Sequence, residues 1–189
     1  MDAPQPSGDN VVPLRPHGEI PGSPVAFDES DKRDRLTGLR GLAAFEEALR
    51  GAGNRRRGGE HPWVAVAGLD GMSPVVAHSG AEAADVLTRL VADRLRDSLR
   101  GGDQLARIAP TEFGLIVDAP FGDEATAALE RVARAIRDMI ATDERWKGAV
   151  VSIGLSPLWS ETPQVALTRA RDGLESARRM RPGSVAVSK

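Results

Sequence analysis

A chain of 189 residues is expected to form one domain plus a tail, long enough to bury a core without staples. It has no cysteine, which excludes a disulfide framework, a thiol nucleophile and a thiolate zinc site. A formal net charge of -2 sets up no basic field toward nucleic acid or anionic membrane, no apolar run nears the ~20 residues of a membrane span, and the N-terminus lacks a signal peptide's pattern, so the expectation is a soluble, cytoplasmic protein that uses neither nucleic acid nor membrane.

Residues 1–31 hold Pro4, Pro6, Pro13, Pro16, Pro21 and Pro24 with few large apolar side chains, and read as a disordered Pro/Gly-rich tail. "VVPLRP", Val11–Pro16, is a bare linker or a short docking motif. The domain is placed at 32–189. Leu39, Leu42, Phe45 and Leu49 recur at helical spacing, and Gly51 and Gly53 are expected to stop that helix. The arginines of the 55–62 loop read as a solvated run. "WVAVAGL", Trp63–Leu69, is a buried strand. An irregular stretch follows, then an amphipathic helix over Glu82–Leu99, ended by Gly101 and Gly102.

"DQLARI" and "FGLIV" are strands around the turn Ala109-Pro110-Thr111-Glu112. Glu124–Ile140 is a helix, Ala149–Leu155 a strand, Gln164–Met180 a helix and Ser184–Val187 a last strand. The strand–helix–strand–strand–helix–strand order is ferredoxin-like: an α+β fold with a mostly antiparallel sheet and its helices on one face. His61 and His78 lack carboxylate or cysteine partners at ligand spacing. Trp63, Trp146 and Trp159 are too scattered for a base-stacking platform, so packing roles are expected. Arg169, Arg171, Arg178, Arg179 and Arg181 crowd the last helix and read as a solvated face, with a partner or phosphate surface as the alternative.

Four segments in order resemble the GGDEF domains of diguanylate cyclases. Asp34-Arg35-Leu36-Thr37-Gly38-Leu39 is similar to the family's D-x-L-T-G-L opening, with Phe45 at its next apolar anchor. Arg107 to Phe113 stands where the family has R-Y-G-G-D/E-E-F, and Val151 to Leu155 matches V-S-I-G-[VI]. Ala170 to Arg178 resembles A-D-x-A-L-Y-x-A-K, with Arg178 for the lysine. The resemblance implies the palm-type variant of the fold. It also implies a reaction in which two facing domains each hold a GTP and divalent metal activates a 3′-hydroxyl against an α-phosphate.

The same resemblance places the losses. One family metal ligand falls on Gly68, while Asp70 keeps the second carboxylate of the D-x-D. The other ligand falls on Thr111, and Glu112 is the neighbouring letter. The two phosphate-approaching glycines are Ala109 and Pro110, and proline also removes an amide donor. The phosphate-contacting pair falls on Met72-Ser73 and the guanine-reading asparagine on Val76. The guanine-reading aspartate falls on Ala84 or Asp85, both left open, and the terminal G-R-N loop is Arg181-Pro182-Gly183. Losses in several independent parts imply that cyclisation is gone and that no cofactor is needed, Mg2+ entering only with residual activity.

"RGGD", Arg100–Asp103, matches the family's R-x-x-D inhibitory site for cyclic di-GMP, with Arg131 or Arg134 as a further phosphate contact. A guanidinium can fork onto the O6/N7 edge of guanine, and a carboxylate can accept from its N–H groups. Plain helix termination competes with this reading, since arginine, Gly-Gly and aspartate are ordinary there. The first reading is a catalytically inactive GGDEF-like domain in a bacterial second-messenger network. It works by binding cyclic di-GMP or a partner protein. The alternative is a protein interaction scaffold that uses no nucleotide. The third is a divergent cyclase with Asp70 and Glu112 as rearranged ligands. Family cyclases use an attached sensory or receiver domain to join two sites, and only a tail is seen here, which counts against the third reading. A homodimer through the domain itself is the remaining partner expectation.

Overall fold

A computed structural model describes residues 27–55, 61–159 and 162–188. Most of the 1–31 tail, with its VVPLRP segment, lies outside the described residues, as do Arg56 and Arg57 of the loop. The elements are α1 (Leu42–Arg55), β1 (Pro62–Asp70), α2 (Met72–Ser98), β2 (Gln104–Ala109), β3 (Glu112–Asp118), α3 (Gly122–Ile140), β4 (Val150–Pro157), α4 (Pro163–Met180) and β5 (Val185–Val187). A short 3₁₀ turn, Glu144–Trp146, precedes β4. The strand order is β2-β3-β1-β4-β5, antiparallel except for the β4–β5 pair. The ferredoxin-like core therefore stands, with β5 added at one edge.

The helices cover both faces, which corrects the one-face expectation. Val64 and Val66 of β1 pack with Phe45 and Leu49 of α1 and with Ala170 and Leu174 of α4. Ala65, Ala67 and Leu69 pack with Leu87, Val91 and Leu95 of α2 and with Leu129 and Ile136 of α3. Only a strand buried on both faces reads as an unbroken apolar run, and β1 is such a strand.

Two helix limits also differ. α1 starts at Leu42, leaving Leu39 in the preceding loop, and runs through Gly51 and Gly53. Phe45, Leu49 and Ala52 form a buried stripe that holds the helix across those glycines. The irregular stretch after β1 is helical from Met72, where Met72 and Val75 are buried one turn apart. Gly80, at φ 85°, joins that first segment to the long one. The β2–β3 turn is two residues, Pro110-Thr111, with an irregular register between Arg107 and Ala109. Leu69 N donates to Thr111 O at 2.8 Å and pins the turn to the end of β1. Among the described residues no helix is long and apolar enough to cross a membrane.

Trp63 meets Trp159 edge-on at 4.6 Å between ring centroids, and His61 meets Trp159 at 5.8 Å. Trp146 is buried in the α2/α3 core. The aromatics thus pack, as the sequence indicates, and His78 is exposed on α2.

Candidate functional site

Two places collect the residues singled out by sequence. The first is the C-terminal end of β1. There Gly68 lies in register with Glu112 of β3 on one side and Ser152 of β4 on the other. Asp70 follows two residues on, and α4 crosses this end of the sheet. Arg178 lays a fork on Asp70, with Nε to Oδ2 at 3.1 Å and Nη2 to Oδ1 at 2.6 Å. Its Nη1 also donates to Glu175. Burial pulls the Arg178 guanidinium down, but its bonds to Asp70 and Glu175 outweigh that and hold it above the usual arginine range. Arg171, two turns earlier, donates from Nε to Glu112 Oε2 at 3.1 Å. Ser152 Oγ donates to Asp70 Oδ2 at 3.5 Å and accepts from Gly183 N at 3.0 Å.

A divalent cation at this edge would need several hard oxygen ligands. It does not fit. Both carboxylates already carry a guanidinium, and among the described residues no three acidic or histidine side chains come close enough together to hold a metal ion. Ala109 and Pro110 are half-buried and Thr111 is buried in the turn. Met72 is buried, Ser73 exposed and Val76 half-buried at the start of α2. Ala84 and Asp85 are buried farther along it.

Behind the turn lies a further ion pair, fully buried. Arg107 Nη1 donates to Asp34 Oδ2 at 2.9 Å, and its Nε and Nη2 donate to Pro110 O at 3.2 and 2.7 Å. Burial pulls this guanidinium below the usual arginine range, and Asp34 and Asp85 oppose that shift. The turn is thus held from inside by a charged clamp.

The second place is the α2–β2 connection. Arg100 N donates to Asp103 Oδ2 at 2.8 Å, and Asp103 N donates to Arg100 O at 3.0 Å. This closed turn orients the Asp103 carboxylate and leaves the exposed Arg100 side chain without an ion pair among the described residues. A hollow of about 590 Å³ opens beside it, and Arg100, Asp103, Asp118, Glu124 and Arg131 line it. A second hollow, about 390 Å³, borders the same Arg100 and Asp103. Two guanidiniums and three carboxylates around one space supply donors for phosphate and acceptors for a guanine edge.

Arg134 does not join that hollow. It lines a separate space of about 120 Å³ with Arg137 and Arg181. Sequence reasoning missed Asp118 and Glu124, and it named Arg171 without its pairing to Glu112. Arg171 had a signal, since it stands seven residues before Arg178 and so on the same helical face. The solvated-face reading is corrected for Arg171 and Arg178, which are paired to the sheet.

A family model described as diguanylate cyclase, GGDEF domain, matches residues 31–182. The cyclic di-GMP phosphodiesterase NbdA of Pseudomonas aeruginosa is 32% identical over 124 residues, which cover 65% of this chain and 16% of that protein. The diguanylate cyclase DgcP of the same organism is 32% identical over 124 residues, 65% of this chain and 18% of that protein. The chain therefore spans under a fifth of the length of these relatives. Among solved structures, the GGDEF domain of DgcB from Caulobacter crescentus, in complex with c-di-GMP, superposes with a TM-score of 0.76 at 21% identity, covering 86% of this chain and 99% of that one. At that identity the likeness is one of fold.

Proposed function

Since the chain belongs to the diguanylate cyclase GGDEF-domain family, we propose that it is a member without cyclase activity that works in cyclic di-GMP signalling by binding that nucleotide beside Arg100, Asp103 and Arg131. The observation that carries this reading is the shared hollow. Residues from the α2–β2 turn and from α3, thirty positions apart in sequence, line one space of about 590 Å³. Helix termination alone requires only the turn and gives no reason for Arg131 to share a space with it. The loss of catalysis is supported by the strand-end geometry, where both surviving carboxylates are occupied by arginines.

The test is calorimetric titration of the purified chain with cyclic di-GMP. Saturable binding is expected. Arg100→Ala removes charge-assisted bonds each worth about 1.5–3 kcal/mol, so affinity should fall roughly 10- to 100-fold. Arg131→Ala should weaken binding by about tenfold on the same grounds. Arg134→Ala should leave it unchanged, because Arg134 faces another space. Absence of binding to the wild type would return the turn to a helix stop and favour the protein scaffold. Metal-dependent formation of cyclic di-GMP from GTP would overturn the loss of activity.

A further inference from the structure

The strand-end cluster holds more than a missing ligand. Gly68 and Arg178 occupy complementary space. A Cβ built on Gly68 would overlap Arg178 Nη2 and stand 3.2 Å from Arg178 Cζ and 2.9 Å from Leu174 Cδ2. A side chain at 68 and the guanidinium therefore compete for one position. We propose that Arg178 is the resident cation of this site, seated by Gly68, and that it stands where the family reaction calls for a divalent metal.

Three observations carry this. Geometry is the first: the guanidinium plane meets the Asp70 carboxylate through two nitrogens, a bidentate match that a lysine cannot make. The third nitrogen is engaged with Glu175 on its own helix, so all three are used. Charge is the second. Arg171 sets a second guanidinium on Glu112 through a single Nε–Oε2 contact, so each carboxylate left at this edge has a positive partner. A divalent cation on Asp70 would have to displace the Arg178 guanidinium and leave it half-buried with Glu175 as its remaining partner. Position is the third. Gly68, Glu112 and Ser152 stand side by side across three strands, so an acidic side chain at 68 would point at the seat Arg178 fills.

The inference deepens the inactive-site part of the proposed function and is independent of the Arg100 hollow. Its test is direct Mn2+ binding, followed by electron paramagnetic resonance and by melting temperature, on full chains. The proteins are wild type, Arg178→Lys, Gly68→Asp and Gly68→Asp/Arg178→Lys. Wild type is expected to take up no Mn2+ at millimolar concentration and to melt at an unchanged temperature. Gly68→Asp alone should melt lower, since the new side chain and the guanidinium collide. The double variant should regain melting temperature over Gly68→Asp and bind Mn2+ at least tenfold more tightly than wild type. Wild-type Mn2+ uptake that Asp70→Asn abolishes would overturn the proposal. So would a double variant that binds Mn2+ no better than Gly68→Asp. Should Gly68→Asp not fold, the wild-type and Arg178→Lys titrations still decide: a resident guanidinium predicts no uptake by the first and measurable Mn2+ uptake by the second, and uptake by neither would overturn the proposal. A failed cyclic di-GMP titration would remove the receptor reading and leave these outcomes standing.

Discussion

Arg107→Met is expected to lower the unfolding free energy by about 3–5 kcal/mol, the cost of removing one partner from a buried ion pair. Both side chains of the Arg107–Asp34 pair are 2% exposed. Loss of the guanidinium leaves Asp34 buried with a charge and only the Thr37 amide and hydroxyl on its other oxygen. It also strips Pro110 O of two donors. The Arg107 backbone N donates to Arg40 O at 2.9 Å, so the same residue ties β2 to the loop before α1. Against a typical domain stability of roughly 5–15 kcal/mol, such a loss is a large fraction. Urea unfolding monitored by tryptophan fluorescence measures it. Arg107→Lys should recover little, because one ammonium nitrogen would have to stand in for three guanidinium nitrogens that reach Asp34 and Pro110 O from different edges. A double-mutant cycle with Asp34→Asn should show coupling above ~1 kcal/mol; additivity would mean that the two residues act separately.

What the sequence disclosed follows from which signals are local. The stripe Leu87, Val91, Leu95 and the run Trp63–Leu69 each name an element from its own periodicity. The assignment of faces is not local. Nothing in "WVAVAGL" says which helix covers Val64 and which covers Ala65; that depends on the crossovers, and the structure puts α1 and α4 on one side with α2 and α3 on the other. Glycines misled at α1 because their penalty of ~1 kcal/mol each is offset by tertiary packing of Phe45 and Leu49. At the candidate site, Arg100 and Asp103 were legible because they are close in sequence. Arg131 and Arg134 were not separable, since one helical turn looks alike on paper. Three residues along a helix is an advance of about 4.5 Å and roughly 60° short of a full turn, enough to place Arg134 beside Arg137 and Arg181 instead. The Arg171–Glu112 and Arg178–Asp70 pairs join residues 59 and 108 positions apart, beyond any spacing rule.

Gly154→Ala is expected to cost about 3 kcal/mol, the upper part of the range for overpacking a filled interior. Gly154 lies in β4 between Val66 of β1 and Ala186 of β5, directly under α4. A Cβ there would overlap Leu174 N and Ala170 O and stand 2.5 Å from Gly173 C. All three are backbone atoms, so no rotamer change relieves the contact; the helix itself has to lift. Gly173 allows the close approach from the other side, since a Cβ on it would stand 3.3 Å from Gly154 Cα and 3.1 Å from Ala186 O. Gly68→Ala is the contrast. It also meets Arg178, but at the far end of a flexible side chain, and should cost clearly less than Gly154→Ala. Gly101→Ala, with open space around it, should be nearly neutral. Chemical unfolding of the three variants sets the order. The lift matters beyond stability, because α4 carries Arg171 and Arg178 down to Glu112 and Asp70. In Gly154→Ala both arginine contacts should loosen, while the Arg100 turn, on the far side of β3 and outside α4's reach, should keep its geometry and with it the cyclic di-GMP binding proposed for it. Equal stability of Gly154→Ala and wild type would mean that the helix does not rest on the strand as closely as its backbone contacts require.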